Sequence, residues 1–294
     1  MSQHKEYQGK DPNWCPGCGD FGVLRAMQTA AADLGLARKD TVLVSGIGCS
    51  GNITAYFRTY GFHGIHGRAL PAATGIKLAN PDLTVLVAGG DGDGFGIGLG
   101  HFMHAARRNI DVTYIVMDNQ VYGLTKGQTS PTTPATMSTK ASPMGPMADP
   151  VRPLELALAG GATFVAQAFS GDMKQLVALL KEGVRHRGFS LINVQSPCVT
   201  YNELNTYAFF REHTYDLAKR GHDAMDLEAA HRVARDAEGV PTGVLYRADR
   251  PTMQDHLPRA EGMPGLVASG GDPAAAYAAA ADRFHGWADA FRVR

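Results

Sequence analysis

The chain has 294 residues, of which 44% are hydrophobic, and its 28 Lys and Arg balance 28 Asp and Glu. That length and apolar content build a folded core without staples, which excludes a disordered or collagen-like chain. Zero formal charge argues against a protein that grips nucleic acid or anionic lipid by bulk electrostatics.

Taken from the N-terminus, MSQHKEYQGKDPNW carries no apolar stretch of the signal-peptide kind, and no run in the chain has the length of a membrane span. The sequence reads as soluble and cytoplasmic, where thiols stay reduced and serve metals or catalysis more often than disulfides. Trp14–Gly19 (WCPGCG) sets Cys15 and Cys18 at C-x-x-C spacing, and apolar spacing near 3.6 predicts a helix over Phe21–Leu34. Thr41–Gly48 reads as a buried strand ending in glycine, with Cys49 directly after it in GIGCSGN. Leu83–Gly89 is a second strand, followed by the run GGDGDGFGIGLG and a helix over Gly98–Arg108. His101 and His104 stand i, i+3 on that helix and read as structural, because no third ligand accompanies them. Val112–Met117 is a third strand that runs into Asp118-Asn119-Gln120-Val121-Tyr122-Gly123.

Gln128–Pro153, rich in Ser, Thr, Pro and Met, reads as a surface loop, the kind of segment that serves as a lid or meets a neighbouring subunit. A helix over Asp172–Arg187 and a strand over Ser190–Val194 lead to Cys198 in SPCVT. Val/Ile/Leu runs alternating with helices predict an α/β fold, an open and mostly parallel sheet with helices on both faces and functional loops at the strand C-termini. Beyond Cys198, Tyr207–Arg220 and Asp223–Glu238 read as helices, the second with Leu227, Ala230, Val233 and Ala237 on one stripe. A Pro/Gly-rich passage over Gly239–Asp272 and an Ala-rich last helix follow. The expected division is a site-bearing domain over 1–206 and a helical or irregular extension over 207–294 that wraps the domain or meets another subunit.

The glycine run is not a dinucleotide fingerprint, since glycines fall only on even positions from Gly90 to Gly100, and no Walker A sequence occurs in the chain. Glycine nevertheless lets backbone N–H groups come close to a phosphate where a helix begins. Asp91 and Asn119 each follow a strand, and a carboxylate, an amide oxygen and a backbone carbonyl are the hard oxygen ligands that Mg²⁺ accepts. The plainer alternative is a glycine-rich turn plus an Asx turn. The four cysteines admit one tetrahedral four-thiolate site, equally suited by spacing to zinc or to iron–sulfur, or else a redox dithiol with two spectators, or unconnected thiols. Cys49 and Cys198 at strand ends beside the glycine loop favour an electron relay over a structural metal.

Gly90-Asp91-Gly92 with Asp118-Asn119 resembles the thiamine-diphosphate motif, GDG followed at this distance by an NN pair, with Asp118 in place of the first Asn. Together with WCPGCGDFGVL (14–24), GIGCSGN (46–52), HGRALPAATGIK (66–77), DNQVYGLTKGQTSPTT (118–133) and SPC (196–198), the chain resembles the β subunit of the 2-oxoacid:ferredoxin oxidoreductases. The resemblance implies the thiamine-diphosphate-binding fold, with a diphosphate-type domain. It implies Mg²⁺ on Asp91, Asn119 and the Val121 carbonyl, and a 4Fe–4S cluster on Cys15, Cys18, Cys49 and Cys198. Thiamine diphosphate contacts are expected from Ile47, Gly48, Cys49, Ser50, His66, Gly67, Gly90, Asp91, Gly92, Asp93, Asn119, Val121, Gly123, Leu124 and Thr125.

His66 is a diphosphate donor or else a turn histidine. Arg68 is a substrate or phosphate contact or else a member of an ordinary surface ion pair, and Asn52 stands where some members carry Lys. The implied reaction converts a 2-oxoacid and coenzyme A to acyl-CoA and CO₂ with reduction of ferredoxin, reversible toward CO₂ fixation, and GRALPAATGIK favours 2-oxoglutarate. The resemblance assigns the pyrimidine-activating glutamate to an α subunit, so no catalytic residue is expected in this chain, and the assembly is expected to be a dimer of αβ heterodimers. The competing reading is a thiamine-diphosphate decarboxylase or transferase whose cysteines hold structural zinc.

Overall fold

The computed structural model describes residues 3–236 and 238–256. The first half contains α1 Asp20–Leu34, β1 Thr41–Ser45, α2 Ile53–Tyr56, β2 Tyr60–His63, α3 Ala69–Ala79, β3 Thr84–Gly90 and α4 Leu99–Arg108. Next come β4 Val112–Asp118, the short pair β5 Val121–Tyr122 and β6 Gln128–Thr129, and α5 Pro153–Ala159. The remainder is β7 Phe164–Phe169, α6 Met173–Arg185, β8 Phe189–Gln195, α7 Tyr207–His213, β9 Thr214–Asp216, α8 Leu227–Ala234 and β10 Val240–Arg247. Eight strands form one sheet in the order β2-β1-β3-β4-β8-β7-β10-β9, parallel throughout except where β10 pairs antiparallel with β7.

Both faces of the sheet are covered, as unbroken apolar strands require. Because side chains alternate along a strand, Val42 and Val44, Val85 and Val87, and Val112 and Val116 face α3, α4, α5 and α8. Leu43, Leu86, Ala88, Ile115, Met117, Ile192 and Val194 face α1 and α6 on the other side. The chain leaves β1 toward β2 on one side and then crosses to β3 on the other. The crevice at the C-terminal ends of β1 and β3 is therefore the reversal point where open α/β sheets hold ligands.

The structure departs from the sequence reading at several elements; β2, α3 and α5 lie outside it altogether. The first strand stops at Ser45, and residues 46–52 form the turn that carries Cys49. β7 (FVAQAF) lies outside the sequence reading because Gln167 interrupts its apolar run; Gln167 is buried and donates to the Pro241 carbonyl at 2.8 Å. After residue 206 the sequence reading gives only helix and irregular chain, yet helix α7 ends at His213 and β9 and β10 join the main sheet. Pro241 and Gly243 mask β10 because each weakens a local strand signal, and pairing with β7 supplies what propensity lacks. Helix α8 spans only Leu227–Ala234 of the expected Asp223–Glu238. The expected Ala-rich last helix lies outside the described residues. Among the described residues no helix is long and apolar enough to cross a membrane.

Candidate functional site

The loops after β1, β2, β3 and β4 enclose a cavity of about 150 Å³. It is lined by Ile47, Gly48, Cys49 and Ser50, by His66, by Gly90–Asp93, and by Asn119 with Val121–Thr125. Every cofactor-contact candidate is thus gathered in one place except Gly67, and Tyr122 is added. Arg68 and Asn52 do not line it; the Arg68 guanidinium folds back to donate to the Gly67 carbonyl at 3.3 Å. A larger cavity of about 320 Å³ lies beyond Asp118, walled by Gln167, Asn193, Gln195 and Asn205, and contains none of the fifteen contact candidates named from the sequence.

Strand β3 ends at Gly90, and the chain passes through Asp91 into a tight π-helical turn, Gly92–Ile97. A Cβ on Gly92 would lie 2.2 Å from Tyr122 Cε1, so only glycine lets the Tyr122 ring close the cavity wall. Asp91 is buried, and Thr132 Oγ1 donates to its Oδ2 at 2.7 Å. Burial raises its pKa above the ordinary carboxylate range, against the lowering effect of the Ser130 and Thr132 hydroxyls. Beyond β4, Gln120 takes a left-handed backbone (φ 61°), and Asn119 Oδ1 accepts from Val121 N at 3.1 Å. Asn202 Nδ2 donates to the Asn119 carbonyl at 3.0 Å, pinning this turn to the segment after Cys198.

Asp118 points away from this cavity. Its Oδ1 lies 3.0 Å from Thr132 Oγ1, and its Oδ2 accepts from Asn193 Nδ2 at 3.1 Å. Burial, and then the charge of Asp91, push its pKa up to about 7. Asp93 ties loops together: its Oδ1 accepts from Ile47 N at 2.9 Å and Gly67 N at 2.8 Å, and His66 Nδ1 lies 2.7 Å from the same oxygen. Gly46 packs so tightly on this carboxylate that a Cβ there would lie 1.9 Å from Asp93 Oδ2.

Cys49 lines the cavity, and Cys198 lies close to it on the far side of Gly123. Measured from the Cβ position of Gly123, Cys49 Sγ lies at 3.5 Å and Cys198 Sγ at 3.8 Å. The Cys15–Cys18 turn docks on the same place, with Gly19 N donating to the Pro197 carbonyl at 3.1 Å and Trp14 Nε1 to the Cys49 carbonyl at 2.7 Å. Cys49 and Cys198 each feel the charge of Cys15, and Cys18 that of Cys49 and Cys198. Burial pushes the Cys18 and Cys198 thiols up and the Cys49 thiol up to about 11. Among the described residues no three His, Cys, Asp or Glu side chains close to metal-holding distance. Thiols that burial holds protonated, as at Cys18, Cys49 and Cys198, are donors that a metal centre would stabilise as thiolates. The buried Asp20 adjoins them, accepting from Ser196 Oγ at 2.7 Å, and burial raises it to about 6.

Tyr122, Thr132, Asn193 and Asn202 are the contacts that sequence reasoning missed. Tyr122 and Thr132 fall inside the quoted stretch 118–133, the signal that could have flagged them, whereas Asn193 and Asn202 carry none.

The family model described as "Thiamine pyrophosphate enzyme, C-terminal TPP binding domain" matches residues 46–194. A second model, for the C-terminal part of the pyruvate ferredoxin oxidoreductase beta subunit, matches residues 198–262. A 2-oxoacid:ferredoxin oxidoreductase subunit beta of Sulfolobus sp. is 52% identical over 207 residues, 70% of this chain and 68% of that protein. The 2-oxoacid:ferredoxin oxidoreductase 2 subunit beta of Aeropyrum pernix is 42% identical over 268 residues, 87% of this chain and 86% of its own length. Among solved structures, a 2-oxoglutarate:ferredoxin oxidoreductase from Magnetococcus marinus, with 2-oxoglutarate, coenzyme A and succinyl-CoA bound, superposes with a TM-score of 0.84. It is 44% identical in sequence, over 86% of this chain and 87% of that one.

Proposed function

Because this chain belongs to the β subunits of the 2-oxoacid:ferredoxin oxidoreductases, we propose that its cavity holds thiamine diphosphate through Mg²⁺ and that its cysteines carry one 4Fe–4S cluster. The observation that carries this reading is the cavity itself. It sets Asp91, Asn119 and Val121 against a glycine-lined wall and places Cys49 on its rim. Asp91, the Asn119 amide oxygen and the Val121 carbonyl would hold Mg²⁺, a hard-oxygen set suited to that ion and not to a soft metal. Backbone N–H groups of the glycine loop and of Leu124 and Thr125 would receive the diphosphate. Cys15, Cys18, Cys49 and Cys198 would hold the cluster, and Cys49 joins the two sites through a single loop.

Thiamine diphosphate, when bound, supplies the electron sink for cleaving a 2-oxoacid next to its carbonyl. This chain's residues orient that cofactor, exclude water behind the Tyr122 ring, and keep the thiols within electron-transfer reach. We assign 2-oxoglutarate as the favoured substrate, supported by the Magnetococcus enzyme, which was solved with 2-oxoglutarate and succinyl-CoA. Coenzyme A is the acyl acceptor and ferredoxin the electron acceptor. An α subunit supplies the pyrimidine-activating glutamate, and the assembly is a dimer of αβ pairs. Residues 207–294 contribute to the interface between subunits.

The test is an assay of the αβ complex with 2-oxoglutarate, pyruvate and 2-oxobutyrate, using CoA and a low-potential acceptor. Expected are turnover of 2-oxoglutarate above the other two acids, none by the β chain alone, and a band near about 400 nm bleached by dithionite. A colourless protein with stoichiometric zinc would overturn the cluster assignment.

A further inference from the structure

We propose that binding of the cofactor diphosphate is coupled to uptake of one proton at His66, and that Asp93 is the positioning residue that enforces this coupling. The inference rests on the thiamine-diphosphate reading above and adds a linkage to it.

The argument is a count of hydrogens around one oxygen. Asp93 Oδ1 is buried and accepts from Ile47 N at 2.9 Å and from Gly67 N at 2.8 Å. An oxygen that receives two N–H donors has none of its own to give. The third group on it, His66 Nδ1 at 2.7 Å, therefore carries the proton. A neutral imidazole has one N–H, so with Nδ1 committed to Asp93, Nε2 is a bare lone pair at the cavity that His66 lines. Diphosphate oxygens are also acceptors, and lone pair facing lone pair is repulsive. The contact becomes attractive only when a solvent proton adds to Nε2, leaving an imidazolium between the Asp93 carboxylate and the diphosphate. The short contact to Asp93 fixes which ring edge faces the carboxylate, and Tyr122 packs edge-on to His66 at 6.3 Å.

The charged and titratable groups around the ring weigh in the same direction. Asp93 touches it, Asp91 shares its cavity, and the Tyr122 phenol and Cys49 thiol stand on the walls. Arg68, two residues along, opposes a second positive charge, but its guanidinium turns to the Gly67 carbonyl. Affinity for the cofactor therefore falls as pH rises, by about tenfold per pH unit wherever a full proton is taken up on binding.

The experiment uses the αβ complex stripped of cofactor and titrated calorimetrically with thiamine diphosphate and Mg²⁺ at about pH 8, in two buffers of different ionisation enthalpy. The wild type is expected to take up about one proton more than His66→Gln, whose carboxamide N–H donates to phosphate without titrating. Asp93→Asn, which keeps an acceptor for the backbone donors but loses the charge, is expected to take up less than the wild type. Equal proton counts in wild type and H66Q overturn the proposal. Failure of the wild-type complex to bind thiamine diphosphate at all overturns the cofactor reading instead. Should H66Q alone fail to bind, ¹⁵N shifts of the wild-type His66 ring decide: both nitrogens protonated in the bound state support the coupling, and a bare Nε2 refutes it.

Discussion

Thr132 has one hydroxyl hydrogen and two buried carboxylates to serve, Asp91 Oδ2 at 2.7 Å and Asp118 Oδ1 at 3.0 Å. Both contacts are satisfied together only if one carboxyl keeps its own proton and donates it to Thr132 Oγ1. Burial and the neighbouring Asp91 push Asp118 up to about 7, which makes Asp118 the proton-bearing member. Its folded pKa stands above the ordinary 3.8, so the folded chain holds a proton that the unfolded chain has released. That contribution to stability is complete below the ordinary carboxyl range, declines as pH rises toward about 7, and is absent above it. Asp118→Asn removes the titration and keeps the chain of hydrogen bonds: its amide N–H serves Thr132 and its oxygen accepts from Asn193. Thermal melts of D118N should be flatter between about pH 4 and 7, and at about pH 8 the variant should gain about 2 kcal/mol. An unchanged pH profile would show that Asp118 is not the titrating group.

At the scale of elements, the site is four strand ends whose loops converge, and three of the strands that deliver it, β1, β3 and β4, were legible in the sequence while β2 was not. β1, β3, β4 and β8 announce themselves as Val/Ile/Leu runs because they are buried on both faces. β7 and β10 were not legible, because Gln167, Pro241 and Gly243 suit a pairing made far along the chain and not a local preference. The same distinction divides the site. Asp91, Asn119, Cys49 and Cys198 stand in short motifs next to strand ends, and Cys15 and Cys18 in a C-x-x-C pair, so the sequence points to them. Thr132 and Asn193 reach Asp118 across 14 and 75 residues, and nothing around them in the sequence marks that contact. The reading of residues 128–153 as surface loop holds for most of its length, but its first turn pairs with Val121–Tyr122 and returns to the Asp91 carboxylate. Gly92 tests how tightly these loops depend on one another, since a Cβ there must displace the Tyr122 ring. Gly92→Ala is expected to weaken thiamine diphosphate binding at least about tenfold with a small change in melting temperature. Adding Tyr122→Ala should recover part of the loss, a coupling that a double-mutant cycle measures directly. Independent effects of the two substitutions would mean the ring does not shape the cavity.

Across the whole molecule, every candidate site residue lies before residue 206, so a division there separates function, and the packing asks whether it also separates folding. β10 pairs along β7 from the far side of that boundary, and Leu217, Ala230 and Leu245 share one core with Val165 and Leu191. Asn109, which caps α4, donates to the carbonyls of Arg250 and Pro251 at 3.1 Å each. Thr163 accepts through its carbonyl from Ala248 N at 2.9 Å. A chain ended at residue 206 would expose the hydrogen-bonding edge of β7 and the apolar surface that α8 and β10 cover, both of which favour aggregation. It would also strip Pro241 from Gln167, the amide that receives Asn193 and Gln195 and so stands behind Asp118. The expected result is a shortened chain that aggregates, or that melts at least about 10 °C below the full one and binds thiamine diphosphate weakly. Near-native melting and binding by residues 1–206 would instead make the last third of the chain an appendage, free to serve the interface between subunits alone.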